Sequence, residues 1–146
     1  MFIETADTIQ FEDKQIIART AWGEARSLGV VGMTATLCTL QNRLTSGVTW
    51  WGQTLRQICL EPCQYSCWNR NDPNRPKLIA LDEMEENYQA ILPIVDQLIS
   101  GKLADTTNGA THYFNHLMPA AAWPSWASTH DVVFEIEPHW FYRVTD

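Results

Sequence analysis

The chain has 146 residues, of which 45% are hydrophobic and 18% are charged, a composition typical of a globular domain and not of a disordered segment. Its formal net charge is −7, and the ten Lys and Arg residues are scattered along the chain. No cluster of basic residues is present that could bind the phosphate backbone of a nucleic acid, so we do not expect nucleic acid as a partner.

The N-terminal stretch has no visible export or membrane signal. Residues 1–15 lack a basic region followed by an apolar region, and no apolar run approaches the length of about eighteen residues that spans a bilayer. We therefore expect a protein made in the cytoplasm, or one whose signal was removed, without a membrane partner. No repeat or linker interrupts the sequence, which predicts a single domain over residues 1–146.

Helical spacing of apolar residues predicts two helices in the first third of the chain. The first is predicted over 12–26 and the second over 30–44, with Gly29 between them as the stop of the first. Thr54 is expected to cap a shorter helix over 55–60. The first helix carries the residue to which we assign the chemistry.

The segment 61–77 contains three prolines and three asparagines without an apolar period, which predicts a long loop or an irregular hairpin of functional interest. A further long helix is predicted from Asp82, with Glu85 as its capping-box partner, to Gly101, and Pro93 is expected to kink it. The last third is rich in aromatic and β-branched residues and predicts short strands. The expected fold class is α+β, mainly helical, with a small β element and long loops.

The four cysteines allow several interpretations. Cys38 lies in an apolar helical run, which indicates a core residue. Cys59, Cys63 and Cys67 are spaced by four residues, and this does not match paired zinc knuckles. A disulfide among these three, a metal site and reduced structural thiols all remain open.

Glu24 lies at the end of the apolar stripe of the first predicted helix. Seven residues bring a helical side chain back to within about 20°, so Glu24 shares the face of Ile17. A carboxyl group in that place is partly desolvated, and desolvation raises the pKa of a carboxyl as a general acid requires. The alternative is a solvated carboxylate, or one paired with a nearby arginine.

Five short segments occur in the order found in one enzyme family. They are ARTAWGEAR (18–26), CQYSCWN (63–69), GATHYFN (109–115), PSWA (124–127) and HWFYR (139–143). Together they resemble the SleB-like cell-wall hydrolases, which include spore-cortex-lytic enzymes and phage lysins. The resemblance extends over about residues 16–143.

The resemblance implies a lysozyme-like transglycosylase fold and cleavage of the bond between N-acetylmuramic acid and N-acetylglucosamine in peptidoglycan. It places the family's catalytic glutamate, at the end of an early helix, on Glu24. Many members continue this string with a second acidic residue, where the present chain has Ser27 and Leu28. A second carboxylate is therefore missing at that point.

One catalytic carboxyl suffices for a lytic transglycosylase, in which the muramic acid 6-hydroxyl attacks the anomeric carbon and a 1,6-anhydro sugar forms without water. A hydrolytic muramidase of the lysozyme type is the alternative, and it uses two carboxylates. Glu61 and Asp72 are the candidates for the second one, since both flank the loop expected to line the groove. The alternative, which the sequence favours, is that both are acids on the surface of that loop.

The other matching segments are expected to form the walls of a saccharide groove. The side chains assigned to substrate binding are Gln64, Tyr65, Ser66, Trp68, Tyr113, Asn115, Trp126 and Tyr142. On the expected strand, Tyr113 and Asn115 face the groove while His112 and Phe114 face away. Trp68 as a buried anchor of its loop and Tyr142 as a structural aromatic are the alternatives.

Two other classes of protein share this biological setting. Four histidines suggest a zinc amidase acting on the peptide stem, but no H-E-x-x-H occurs, and we expect neither a catalytic metal nor a cofactor. A non-catalytic wall-binding module would use aromatic platforms and would not need Glu24. We expect a monomer acting on peptidoglycan strands. A phage-type endolysin released through a holin-made pore and a truncated catalytic domain both fit this expectation.

Overall fold

The computed structural model describes residues 4–62 and 64–145, and within them the chain forms seven α-helices and one three-stranded sheet. The helices are α1 (Ala6–Ile9), α2 (Asp13–Ala25), α3 (Gly29–Thr45), α4 (Leu55–Leu60), α5 (Asn74–Ile79), α6 (Glu86–Ile99) and α7 (Trp126–Thr129). The strands are β1 (His112–Asn115), β2 (Val132–Ile136) and β3 (His139–Tyr142). The predicted class, mainly helical with a small β element, is confirmed.

Helix α2 forms the centre of the helical core. It begins after Glu12, whose backbone N–H donates to the side chain of Gln15 at 2.7 Å, and such a cap satisfies one of the free donors of a first turn. Helices α3, α4, α5 and α6 all pack against it. Ile16 and Ile17 are fully buried there, so the apolar stripe expected from the sequence is the buried face of the helix.

The junction between α2 and α3 is a single turn of 3₁₀ helix, Arg26–Leu28. Gly29 follows with φ of 67°, a left-handed conformation that glycine adopts without steric strain. It ends the 3₁₀ turn, as expected of a stop residue, and α3 begins at the same residue. The two long helices are therefore joined directly, and the end of α2 is held close to the start of α3.

Two predicted boundaries were wrong. The segment 61–77 is not wholly a loop. It contains a 3₁₀ turn, Ser66–Trp68, and α5 begins within it at Asn74. Burial of Leu78 in the core stabilises this short helix. Helix α6 begins at Glu86 and not at Asp82. Its cap is Glu85, whose side chain accepts from the backbone N–H of Tyr88 at 2.9 Å, while Asp82 accepts from Met84 in the preceding turn. Pro93 lies inside α6.

The sheet is antiparallel, with β3 between β1 and β2. Tyr113 on β1 pairs with Phe141 on β3. Phe141 is buried against Ala35 of α3, and Tyr113 contacts both this cluster and the helical core. Strand β1 is therefore placed next to the helices, with α2 within reach of its side chains.

The cysteines of the described segments are free thiols. Cys38, Cys59 and Cys67 are buried, so the prediction of Cys38 as a core residue is confirmed. Burial raises the pKa of Cys59 to about 12, which leaves this thiol protonated and unreactive. Cys63 lies outside the described residues, and hypotheses that involve it stay predictions.

No helix in the described segments combines the length and the apolar character needed to cross a bilayer.

Candidate active site

A cavity of about 610 Å³ opens where the end of α2, the 3₁₀ turn Ser66–Trp68 and strand β1 meet. Glu24, in the last turn of α2, is partly buried in its wall. Of the residues predicted for the site, the cavity brings together Glu24, Gln64, Ser66, Tyr113, Asn115 and Trp126. These residues come from four separate parts of the chain, so the fold assembles the site.

Glu24 accepts hydrogen bonds from two other elements. The phenol of Tyr113 donates to Oε1, and the backbone N–H of Cys67 donates to Oε2 at 3.0 Å. The hydroxyl of Ser66 lies 3.4 Å from Oε2. Both carboxyl oxygens are therefore fixed in direction by groups from β1 and from the 3₁₀ turn.

Tyr113 remains a proton donor over the whole useful pH range. Its side chain is partly buried beside the Glu24 carboxyl, and desolvation together with that negative neighbour raises the pKa of Tyr113 well above its usual value near 10. The phenol therefore keeps its proton and its hydrogen bond to Glu24 in neutral and mildly alkaline solution.

Gly23 allows the 3₁₀ turn to approach α2. A Cβ atom at this position would lie 2.6 Å from Cδ2 of Leu78 and 3.0 Å from Cβ of Cys67. Distances this short force atoms apart, so only glycine permits the observed packing. The short approach is what brings the N–H of Cys67 to the carboxyl of the adjacent Glu24.

Arg43 of α3 forms a buried part of the cavity wall. Its Nε donates to the backbone carbonyl of Thr111 at 2.7 Å, and its Nη1 donates to Oε1 of Gln64 at 2.7 Å. The guanidinium also lies over the rings of Trp51 and Tyr65. Arg43 therefore fixes the orientation of Gln64, a predicted substrate contact.

Both faces of β1 border the cavity, which corrects the expectation that His112 and Phe114 face away from it. Trp126 folds over the second face, with its ring 5.2 Å from that of His112 and 5.7 Å from that of Phe114. Burial and the charge of Arg43 lower the pKa of His112 to about 3. His112 is therefore neutral at physiological pH.

Three predicted substrate contacts lie elsewhere. Tyr65 is buried, and its hydroxyl is hydrogen-bonded to Thr39 in the core. Trp68 is also buried, with its Nε1 donating to Thr20 at 2.9 Å, and it borders a second cavity of about 530 Å³. Tyr142 is buried in the sheet. These three aromatic side chains support the walls without lining the cavity, because their rings fill the core behind it.

The two candidates for a second carboxylate are also outside the cavity. Glu61 borders the second cavity, and Asp72 accepts from the backbone N–H of Asn74 at 2.8 Å in the turn before α5. Among the described residues that line the first cavity, Glu24 is the one carboxylic acid. The described residues also include no group of three or more His, Cys, Asp or Glu arranged to hold a metal ion.

Several lining residues were missed in the sequence. They are Gly23, Arg43, Trp50, Asn74, Met118, Pro124 and His139. Trp50 is 62% exposed, unusual for so large an apolar side chain, and an exposed aromatic face beside a cavity suits the apolar face of a sugar. A Trp-Trp pair beside a glycine was the available signal for Trp50, whereas nothing local distinguishes Arg43.

Comparison with known proteins gives the family. A family model described as "Cell Wall Hydrolase" matches residues 29–142, most of the chain, beginning after Glu24. The fold is similar to that of the catalytic domain of the germination-specific lytic transglycosylase SleB from Bacillus anthracis. That match has a TM-score of 0.66 and 23% identity, and it covers 96% of this chain and 97% of the other. A comparison with curated proteins gave no match.

The predicted family and the predicted action as a wall-degrading enzyme are confirmed by the family match. At 23% identity the structural similarity is evidence for the fold alone, and it confirms the expected architecture. The chain belongs to the cell wall hydrolase family.

Proposed function

We propose that the protein cleaves the glycosidic bond between N-acetylmuramic acid and N-acetylglucosamine as a lytic transglycosylase, with Glu24 as acid and then base. The observation that carries this proposal is the position of Glu24: it is the one carboxylic acid among the described residues lining the cavity, and groups from two other elements orient it. The SleB domain of similar fold is itself described as a lytic transglycosylase.

In the first step, Glu24 in its neutral form donates its proton to the glycosidic oxygen. The bond from that oxygen to the anomeric carbon of muramic acid breaks, and glucosamine leaves with a free 4-hydroxyl. General acid catalysis by a positioned carboxyl contributes about 10²- to 10⁴-fold in rate. The carboxylate that remains keeps its hydrogen bonds from Tyr113 and Cys67, which stabilise the charge that has formed.

In the second step, the 6-hydroxyl oxygen of the same muramic acid attacks the anomeric carbon, and the Glu24 carboxylate accepts the hydroxyl proton. The product is 1,6-anhydromuramic acid, and Glu24 is again neutral. No water and no second carboxylate enter this sequence. This agrees with the positions of Glu61 and Asp72, neither of which lines the cavity.

The remaining lining residues suit a glycan. Trp50 and Trp126 offer aromatic faces for the apolar sides of sugar rings, and Asn115 and Gln64 offer amide groups for hydroxyl and acetamido groups. A cavity of about 610 Å³ falls in the range of ligand pockets, about 300–1,000 Å³. We propose that these residues hold the strand so that its scissile bond lies at Glu24.

Mass spectrometry of fragments released from purified peptidoglycan tests the proposal. Wild-type protein should release anhydromuramic products, and Glu24→Gln should lose about 10²-fold or more of that activity while it still binds peptidoglycan. Reducing-end muramic acid from the wild type would instead assign a hydrolytic muramidase. Release of peptide stems, or equal activity of Glu24→Gln, would overturn the assignment of Glu24.

A further inference from the structure

Arg43 is a buried cation in the wall of the cavity that also holds Glu24. It is 5% exposed, and none of the described Asp or Glu residues forms an ion pair with it. Its polar partners are neutral, namely the carbonyl of Thr111 and the amide oxygen of Gln64. Burial of an uncompensated charge is unfavourable, so its retention in a cavity wall suggests that a ligand supplies the counter-charge.

One amino group of Arg43 is free to receive that ligand. Nε and Nη1 are used, but Nη2 donates to no acceptor in the described part of the chain. Arg43 is also a lining residue of the cavity that holds Glu24, so its guanidinium borders the space that a ligand would occupy.

The charges in the cavity favour an anion when Glu24 carries its proton. Glu24 is the one carboxylic acid among the described lining residues, and Arg43 is the one arginine. When Glu24 is neutral, the charge of Arg43 is therefore not balanced by a carboxylate in the cavity wall. His112 and His139 also line the cavity, and burial lowers the pKa of each, so both are neutral at physiological pH. The enzyme that is ready to donate a proton thus presents one uncompensated positive charge to its substrate.

Muramic acid contains one group that matches. It differs from glucosamine by a lactyl ether whose carboxyl is joined to the stem peptide by an amide bond, and this carboxyl is ionised only where that bond has been hydrolysed. We propose that Arg43 binds the free lactyl carboxylate of a muramic acid residue, so that the enzyme prefers glycan strands without stem peptides. This inference rests on the proposed function for the identity of the strand.

The proposal also places the reaction in an order. Hydrolysis of the amide between the lactyl group and the stem exposes the carboxylate, so an amidase reaction must supply the preferred substrate. An amide or acetamido carbonyl can also accept from a guanidinium, but it leaves the charge uncompensated. A charge-assisted hydrogen bond is about twice as strong as a neutral one, and the preference for the free acid follows from that difference.

Binding to Glu24→Gln protein, which cannot turn over its ligand, tests the proposal by calorimetry. The two ligands are tetrasaccharides of alternating glucosamine and muramic acid that differ only in the lactyl carboxyl, free or as its methylamide. The free acid should bind about tenfold or more tightly. Arg43→Gln in the same background should abolish the difference. Arg70→Gln removes an exposed arginine outside the cavity with the same change in charge, and it should retain the difference.

Equal affinity for the two ligands, or a preference that survives Arg43→Gln, would overturn the proposal. Arg43 also bonds Thr111 and Gln64, so circular dichroism must show that its variant folds. If it does not fold, the two ligands compared on protein that retains Arg43 still decide the question.

Turnover separates this inference from the proposed function. Wild-type enzyme should release anhydromuramic products several-fold faster from amidase-treated peptidoglycan than from intact peptidoglycan. Equal rates on both substrates would overturn the role of Arg43 and leave the transglycosylase proposal standing. Cleavage of neither glycan would overturn the transglycosylase proposal itself.

Discussion

The phenol of Tyr113 reaches Glu24 from the sheet, whereas the N–H of Cys67 reaches it from the helical side. The carboxyl is thus oriented by two elements that are distant in sequence. A backbone donor cannot be removed by a simple substitution, but the phenol can. Tyr113 is a positioning residue in this arrangement, since it acts on the substrate through Glu24.

Tyr113→Phe should slow catalysis with little effect on substrate binding. A hydrogen bond to a charged group contributes about 1.5–3 kcal/mol, which corresponds to roughly 10- to 100-fold in rate if it is lost in the transition state. We expect kcat to fall by that factor and KM to change by less than about twofold. Steady-state rates on a defined glycan measure both.

Tyr88→Phe is the matched control for Tyr113→Phe. Tyr88 is a buried tyrosine whose hydroxyl, like that of the partly buried Tyr113, donates to a carboxylate, that of Glu83, but it lies on α6 outside the cavity. Its variant should lose some stability and keep the wild-type kcat. A similar fall of kcat in both variants would mean that Tyr113 acts only through general stability.

How far individual residues were predictable depends on the range of the interactions that place them. The position of Glu24 on a buried helix face follows from spacing within one helix, and α2 formed as expected. Arg43 could not be assigned, because its role arises from contacts with Thr111 and Gln64 far away in the chain. His112 was placed on the wrong side, because the folding of Trp126 over β1 is not encoded by alternation within the strand.

Among the elements, the contact between α2 and the 3₁₀ turn Ser66–Trp68 is the one on which the site most depends. Gly23→Ala should separate them, because its Cβ would overlap Leu78 and press on Cys67. Overpacking of this kind destabilises by about 1–3 kcal/mol. We expect that loss in chemical denaturation, together with a fall in kcat of the folded enzyme as the N–H of Cys67 moves away from Glu24.

Gly101→Ala controls for the loss of stability. Gly101 has φ of 75°, so alanine there is strained, but no atom lies within 4 Å of the added Cβ and the position follows α6 outside the cavity. Its variant should be destabilised and retain the wild-type kcat. If Gly23→Ala also retains it, the N–H of Cys67 is not needed for catalysis.

Arg56 of α4 joins α1 and the preceding Glu4 to the core, and the stability that this contact contributes depends on pH. Arg56 of α4 donates to Glu4 and to the backbone carbonyl of Thr8. The hydrogen bond from Arg56 lowers the pKa of Glu4 below its usual value, so the native state favours the ionised carboxylate. The resulting stability is present above the unfolded-state pKa, about 4.3, and it is lost as the pH falls through the lower native value.

Glu4→Gln should therefore lower the midpoint of thermal unfolding at pH 7, and this effect should be lost as the pH falls through the lowered native pKa of Glu4. The difference in Tm between the wild type and Glu4→Gln, measured by calorimetry from pH 7 downwards, should shrink as the pH falls.

Glu86→Gln in the first turn of α6 serves as the control, because no ion pair to Glu86 occurs among the described residues. A Tm difference for Glu4→Gln that is constant with pH would contradict this role.

At the scale of the whole molecule, the site lies where the sheet meets the helices, and its acid and its positioning tyrosine come from opposite sides of that junction. Phe141 of β3 packs against Ala35 of α3, and its ring centroid lies 5.2 Å from that of Tyr113. The order β1-β3-β2 makes β3 the central strand, so its side chains fix the position of β1. Loss of packing at this junction should therefore lower kcat more than an equally destabilising loss of packing elsewhere in the core.

Phe141→Ala and Leu98→Ala test this relation. Both side chains are buried, at 1% and 4% exposure, and removing either should destabilise the protein by about 2–5 kcal/mol. Leu98 belongs to the helical core on α6, away from the junction. At a temperature where both variants are fully folded, only Phe141→Ala should lower kcat, because Tyr113 then loses the ring that supports it. Equal kcat values in the two variants would mean that the helices alone maintain the geometry at Glu24.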